Sequence, residues 1–485
     1  MTKIDRQIMP EDSSLRQVLQ RLNEGVSGII LMVQDNNSLS GIFTDGDARR
    51  AILKADNLEM SASLFMNKNF TVAPVSMPKV EKLALLNEKI RFLPIVDEDN
   101  VPTDVISWAE IWKLPLVEPS LGGNELKYVS ECIKTNWISS QGAFVSKFES
   151  DFAIFHDVQH AIAVSSGTTA LQLALTSMGI GKGDEVIVPN LTFGASANAI
   201  IHAGATPVFA DICQSNWTID PASIISNITS STKAIMPVHL YGVPADMNAI
   251  IDIANQYNLM VIEDCAESLG ASFSAKLTGT FGTTSAFSFF ANKTITTGEG
   301  GMVLTNDDKI ANRMRLLRDH GMRKDKRYWH EEPGYNFRLT NMQSAVGCAQ
   351  MERLDDFLLH RQKLGQIYNE NLIKLDEIKI QEFGSDRVSS YWLYSICIDP
   401  ICGYSRDEFI KELAKEGIES RPVFYPLDQQ PAYKAYRRNE CPVSQLISTF
   451  GISLPTSNHM DIQEALRVCR SIESILSRKS LNSSL

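Results

Sequence analysis

From Ala161 onward, short runs of β-branched and apolar residues alternate with stretches whose apolar positions recur at helical spacing. AIAVS precedes TTALQLALTSM, EVIVP precedes ASANAIIHAG, and TPVFADI precedes PASIISNI; KAIMPVHL then precedes ADMNAIIDIANQY, and LMVIEDCA closes the series. Uniformly apolar strands, each followed by an amphipathic helix, predict an α/β protein with a mostly parallel sheet covered on both faces. In such sheets functional side chains gather at the carboxyl ends of the strands. After Asp307 the pattern becomes helical, first in KIANRMRLLRDH and then in MQSAVGCAQMERLDDFLLHRQKLGQIYNENL, which contains no Pro and reads as one long helix. SYWLYSICID, SRDEFIKELAKEG and DIQEALRVCRSI then predict a smaller α+β lobe, with a frayed tail over Lys479 to Leu485.

The first hundred or so residues follow a different plan. SGIILMVQ with LSGIFTDGDARRAIL, and RFLPIVDEDN with PTDVISWAEIWKL, are two passes of one small α/β unit. Each pass sets a hydroxyl after an apolar pair and a carboxylate three residues later: Thr44 with Asp47, and Ser107 with Glu110. Thr44 and Asp47 also suit a plain helix cap. The prolines and glycines of LPLVEPSLGGNE mark a junction near Pro115, dividing the chain into residues 1–114, 115–370 and 371–485.

The chain has 485 residues, with 46 Lys plus Arg against 57 Asp plus Glu, a formal charge of −11. No general basic field is available for nucleic acid or an anionic membrane, so an anionic ligand must be held by backbone amides and a few placed cations. The eight cysteines include no CxxC pair and lie mostly in apolar runs, which predicts buried thiols in a reducing compartment and no metal site. MTKIDRQIMPED lacks a signal-peptide core, and no apolar run reaches the ~18 residues of a membrane span. A soluble, cytoplasmic protein is expected.

Three features carry candidate chemistry. Ser165-Ser166-Gly167-Thr168-Thr169 falls between a strand and a helix, where unpaired N–H groups could hold a phosphate or merely receive a cap. Asp264 ends the apolar strand LMVIEDCA, where a desolvated carboxylate needs a cation or several donors. Lys293 follows the aromatic run AFSFFAN; a buried lysine loses its charge more readily and becomes a nucleophile for aldehydes. Together they are the parts needed to hold pyridoxal 5′-phosphate.

The stretches GDEVIVPNLTFGASANA, MPVHLYGVPADM, VIEDCAESLGA, GTFGTTSAFSFFANKTITTGEGGMV, GYNFRLTNMQSAVGCAQMERLD and ESRPVFYPLDQQPAY resemble the DegT-type sugar-nucleotide aminotransferases, of pyridoxal-phosphate fold type I, from about Pro119 to the end. The resemblance implies that Lys293 forms the Schiff base and Asp264 partners the pyridine nitrogen. It also implies that Phe193 stacks on the ring and that Gly167, Thr168 and Ser288 contact the phosphate, while Asn336 reaches the phosphate in a neighbouring subunit of a homodimer. Glu267 stands where many members carry Gln, facing the cofactor's phenolic oxygen. Related dehydratases carry His at the Schiff-base position, so Lys293 favours amine transfer.

The implied reaction moves an amine from L-glutamate to C4 of a nucleotide-linked 4-keto-6-deoxy sugar. GDP-4-keto-6-deoxy-mannose is the first candidate, and UDP- or GDP-4-keto-6-deoxy-N-acetylglucosamine the alternative. Arg327, Tyr328, Trp329, His330, Arg421 and Tyr425 are candidates for gripping that substrate. In a reading of another class, the chain is a nucleotide sensor built on an aminotransferase-like scaffold. Gly41, Ile42, Phe43, Thr44 and Asp47 resemble the pattern of CBS modules, which implies an adenine or guanine nucleotide near Thr44 and Asp47.

Overall fold

The computed structural model describes residues 4, 7–24, 28–77, 81–82, 85–86, 90–108 and 114–482, so Glu110 lies outside the described residues. The chain separates into two compact units, Met1–Lys113 and Leu114–Leu485.

In the first unit, β1 (Ile8–Pro10), β2 (Ile29–Val33) and β3 (Leu39–Thr44) form one sheet. Strands β4 (Ala73–Pro74), β5 (Phe92–Val96) and β6 (Pro102–Ser107) form another. Both sheets pair their first two strands parallel and their last two antiparallel. The duplication extends to register: Ile29 opposes Thr44 as Phe92 opposes Ser107, and each hairpin shifts register one step before the end of its middle strand. The helix Leu15–Glu24 buries Leu15, Val18 and Leu22, a stripe at helical spacing, against Ile30, Met32 and Phe43.

The second unit is built on a seven-stranded sheet. Its strands are β7 (His160–Val164), β8 (Glu185–Pro189), β9 (Thr206–Ala210), β10 (Thr232–Ile235), β11 (Met260–Asp264), β14 (Thr284–Ser288) and β15 (Gly301–Thr305). The short β12 (Ser272–Phe273) and β13 (Lys276–Leu277) lie outside it, in a sheet with β17 (Arg387–Val388). The order is β7-β15-β14-β11-β10-β8-β9; every pairing is parallel except the two made by β15. Side chains alternate across the sheet: Val186, Val188 and Ile262 enter one core with Leu171 and Leu175, whereas Ile187 and Val261 enter another with Ile250. Apolar residues on both faces explain why these strands read as continuous hydrophobic runs.

A four-stranded antiparallel sheet, β16 (Ile378–Ile380), β18 (Tyr394–Ile398), β20 (Gly451–Leu454) and β19 (Arg421–Pro422) in spatial order, makes a separate core with the helices Leu354–Leu372, Arg406–Lys415 and Ile462–Asn482. The single helix expected over residues 342–372 is instead two, Asn341–Met351 and Leu354–Leu372. Side chains at the break bond elsewhere. The Glu352 carboxylate accepts from Asn124 Nδ2 at 2.7 Å and from the Tyr128 hydroxyl at 2.5 Å, and the Arg353 guanidinium donates to Ser120. Among the described residues no cysteine forms a disulfide, and all but Cys213 are buried. Among the described residues, no helix is long and apolar enough to cross a membrane.

Candidate active site

A cavity of about 440 Å³ opens at the carboxyl ends of β7, β11 and β14, lined among others by Gly167, Thr168, Phe193, Asp264, Lys293 and Trp392. In its lining, Ser166 caps the helix Gly167–Ser177: its hydroxyl accepts from Thr169 N, and Thr169 Oγ1 accepts from Ser166 N at 3.0 Å. The cap therefore consumes Ser166 and Thr169, while the amides of Gly167 and Thr168 at the first turn have no partner within the helix. A Cβ on Gly167 would stand 2.7 Å from Ser288 Cβ, so only glycine leaves the cradle open.

Asp264 ends β11 and is buried. Its carboxylate accepts from Ser196 Oγ at 2.7 Å and from Ala266 N at 3.1 Å. Burial raises its pKa above the usual carboxylate range, and the Ser196 hydroxyl, the Ala266 amide and Lys293 oppose that shift only in part. A cation placed against it would remove the penalty.

Lys293 lies in the segment that joins β14 to β15. Its Nζ is 3.9 Å from Glu267 Oε1 and 3.5 Å from the centre of the Trp392 ring. Burial lowers the amine's pKa, with Glu267 and then Asp264 pulling the other way. Burial likewise raises the pKa of Glu267, against Lys293 and the Tyr241 amide, which donates to Glu267 Oε2 at 2.8 Å. A protonated Glu267 can donate a hydrogen bond as Gln would.

Glu263, the residue before Asp264, points to the opposite face. Its carboxylate accepts from the amides of Gly279, Phe281 and Gly282 at 2.8, 2.7 and 2.7 Å. It also accepts from His239 Nε2–H, a tautomer fixed because the Ala245 amide donates to Nδ1. His239, Glu263 and Cys265 bring their heteroatoms within 4.8 Å of one another. A carboxylate already faced by four N–H donors suits them better than a cation.

Of the expected site residues, Gly167, Thr168, Phe193, Asp264, Glu267, Ser288, Lys293 and Arg421 line this one cavity. Phe193 is 62% exposed, and its ring centre lies 5.9 Å from that of Phe424. Arg421 pairs with Glu419 at 2.8 Å. Tyr425 stands apart; its hydroxyl accepts from Arg406 in a separate groove. Arg327, Tyr328, Trp329 and His330 occupy an exposed loop and do not line the cavity of their own chain. Nor does Asn336, whose Oδ1 accepts from Arg338 Nε at 3.1 Å.

Residues not anticipated are Ser196, Tyr241, Asn292, Trp392 and Phe424. Tyr241 adopts a left-handed conformation (φ 56°) and receives the Phe424 amide on its hydroxyl. In the first unit, Thr44 and Asp47 form a capping box, and Asp47 Oδ1 also accepts from Arg50 at 2.5 Å. Their hydrogen-bonding groups are engaged within the cap.

The sequence profile of the DegT/DnrJ/EryC1/StrS aminotransferase family matches residues 119–473, and that of the CBS domain matches residues 3–54. The chain is 44% identical to the GDP-perosamine synthase of Escherichia coli O157:H7 over 76% of its own length and 99% of the relative's. It is 43% identical to the GDP-perosamine synthase of Caulobacter vibrioides over 76% and 100%. Among solved structures, S. venezuelae DesV in complex with a ketimine intermediate superposes with a TM-score of 0.69 at 34% identity, covering 73% of this chain and 94% of that one.

Proposed function

Because this chain belongs to the DegT/DnrJ/EryC1/StrS aminotransferase family, we propose that its cavity binds pyridoxal 5′-phosphate and moves an amine from L-glutamate to C4 of a nucleotide-linked 4-keto-6-deoxy sugar, GDP-4-keto-6-deoxy-mannose yielding GDP-perosamine. The observation that carries this reading is the convergence of an open amide cradle, an under-solvated carboxylate and a buried amine on one cavity. The residues fit the cofactor. Gly167, Thr168 and Ser288 would receive its phosphate, Phe193 would cover its ring, and Asp264 would hold the ring N–H. Lys293 would bond the aldehyde carbon.

The cofactor supplies an aldehyde to carry the amine and a protonated ring to accept electron density. Asp264 would keep that ring nitrogen protonated, since its own burial penalty falls when it faces a cation. Lys293 Nζ, when free of any bond to the cofactor, would carry the proton from the donor's α-carbon to the cofactor's C4′ in the first half of the cycle, and from C4′ to C4 of the acceptor in the second. Burial favours the neutral amine that this requires. Protonated Glu267 would donate to the phenolic oxygen, and the Trp392 ring closes one wall.

Arg421 at the cavity lining would clasp the acceptor's diphosphate. The loop carrying Arg327, Trp329 and His330, together with Asn336, would serve the cavity of a neighbouring copy in a homodimer. A nucleotide at Thr44 and Asp47 would have to share or displace the capping hydrogen bonds. The deciding experiment supplies the purified, cofactor-loaded protein with glutamate and a panel of GDP- and UDP-linked 4-keto-6-deoxy sugars. Turnover of the mannose-derived compound is expected; turnover of none would overturn the reading.

A further inference from the structure

The residue before the reactive lysine has a side chain that the fold leaves unused. Asn292 lines the cavity, and its carboxamide makes no hydrogen bond among the described residues. Its Oδ1 is shut away from solvent without a partner. An amide left in this state costs free energy that an ordinary packing residue would avoid, and the penalty ends when the side chain turns Oδ1 out to a ligand that supplies the missing partner. Because O and N of a carboxamide are nearly isosteric, a half-turn about its last bond presents either an acceptor or a donor to the cavity.

The backbone behind this amide is braced. The Asn292 carbonyl accepts the Trp392 indole N–H at 2.8 Å. The Trp392 carbonyl is in turn held by Arg361 Nη1 at 2.9 Å and by Thr456 Oγ1 at 3.0 Å. Arg361 is fully buried and makes no ion pair among the described residues, so bracing the Tyr391 and Trp392 carbonyls is the role its hydrogen bonds define. The Trp392 ring also carries Lys293 Nζ on its face. Asn292 therefore sits on a rigid wall next to the amine that reaches the reacting carbon, which is how a recognition group is placed rather than how a surface amide behaves.

We infer that Asn292 determines acceptor specificity: its carboxamide hydrogen-bonds the hydroxyl on the sugar carbon next to the keto group. This inference rests on the proposed function. A rigid site that pairs with a substrate hydroxyl discriminates against analogues lacking it, because its own polar group is then left without a partner.

The test compares wild type with Asn292→Ala and Asn292→Ser, in cofactor-loaded protein, on two acceptors: GDP-4-keto-6-deoxy-mannose and its counterpart lacking the 3-hydroxyl. The glutamate half-reaction is followed separately through the cofactor's absorbance. For the hydroxylated acceptor, kcat/KM should fall about 10-fold in Asn292→Ala and less in Asn292→Ser. For the deoxy acceptor, wild type and Asn292→Ala should agree within about threefold, and the glutamate half-reaction should change by no more than that. Equal losses on both acceptors, no loss on either, or a parallel loss in the glutamate half-reaction would overturn the assignment. If wild type reacts with glutamate yet turns over no keto-sugar nucleotide, the proposed function itself fails, an outcome distinct from any result with the variants.

Discussion

Glu267 Oε1 and Lys293 Nζ face each other across 3.9 Å, their side chains 5% and 13% exposed, and burial drives each towards its neutral form. The pair is thus poised between a neutral acid beside a neutral amine and a buried ion pair. Each partner's charge opposes the burial shift of the other.

That opposition has a readable sign. Glu267 holds the amine's pKa up, so Glu267→Gln should lower it further and extend the neutral, nucleophilic amine to lower pH. Stopped-flow measurement of pyridoxal-phosphate uptake by cofactor-free protein should show the acidic limb of the rate profile displaced downward. An unmoved or raised limb would show that the two groups do not titrate together.

Lys293→Ala should reduce overall transamination by at least about 1,000-fold, since on the proposed function one amine would serve both as the covalent anchor and as the proton carrier. Coupled assay of product formation, alongside the cofactor's absorbance, checks this. Ordinary turnover by the variant would remove Lys293 from the mechanism.

Asp264→Asn should have two opposite effects. Turnover should drop by about 100-fold or more, as expected when a pre-placed electrostatic partner is lost. The cofactor-free protein should gain stability. Asp264 has a raised folded-state pKa, so its favourable contribution is present below the unfolded carboxylate value and is lost as pH rises through the raised one. At neutral pH the empty wild type bears that penalty and the Asn variant does not. Thermal melts of the two cofactor-free proteins at pH 7.5 provide the comparison, and a lower midpoint for Asp264→Asn would contradict it.

Gly167→Ala should weaken cofactor binding while leaving the secondary structure in place, because the added methyl group meets Ser288 Cβ at 2.7 Å inside the cradle. Overpacking of this kind costs about 1–3 kcal/mol. Equilibrium titration against pyridoxal phosphate, with circular dichroism as control, gives the answer; unchanged affinity would place the phosphate elsewhere.

The parts of the site legible in the sequence are those that end an apolar strand. Asp264 closes β11, Lys293 follows β14, and the Ser166 cap follows β7; each is a weak mark by itself, and the conjunction of the three singles them out. Tyr241, Trp392 and Asn292 carried no such mark. Tyr241 enters the cavity through a left-handed backbone turn, and Trp392 comes from a lobe 99 positions after Lys293, brought in by the Arg361 and Thr456 bonds to its carbonyl. Periodicity also hid the break after Met351, because Glu352 and Arg353 obey the helical pattern while bonding to residues 120–128. The Arg327 to His330 segment shows the limit of composition: cationic and aromatic residues suited to a sugar nucleotide lie on a surface loop away from their own chain's cavity.

Glu263 and Asp264 stand back to back on β11, one enclosed by four N–H donors and the other given one O–H and one N–H. The enclosed acid ties its strand to the loop over Gly279–Gly282 using nothing but the chain itself. That loop is therefore anchored without help from any bound group, so this stretch of the architecture does not depend on whether the cavity is filled.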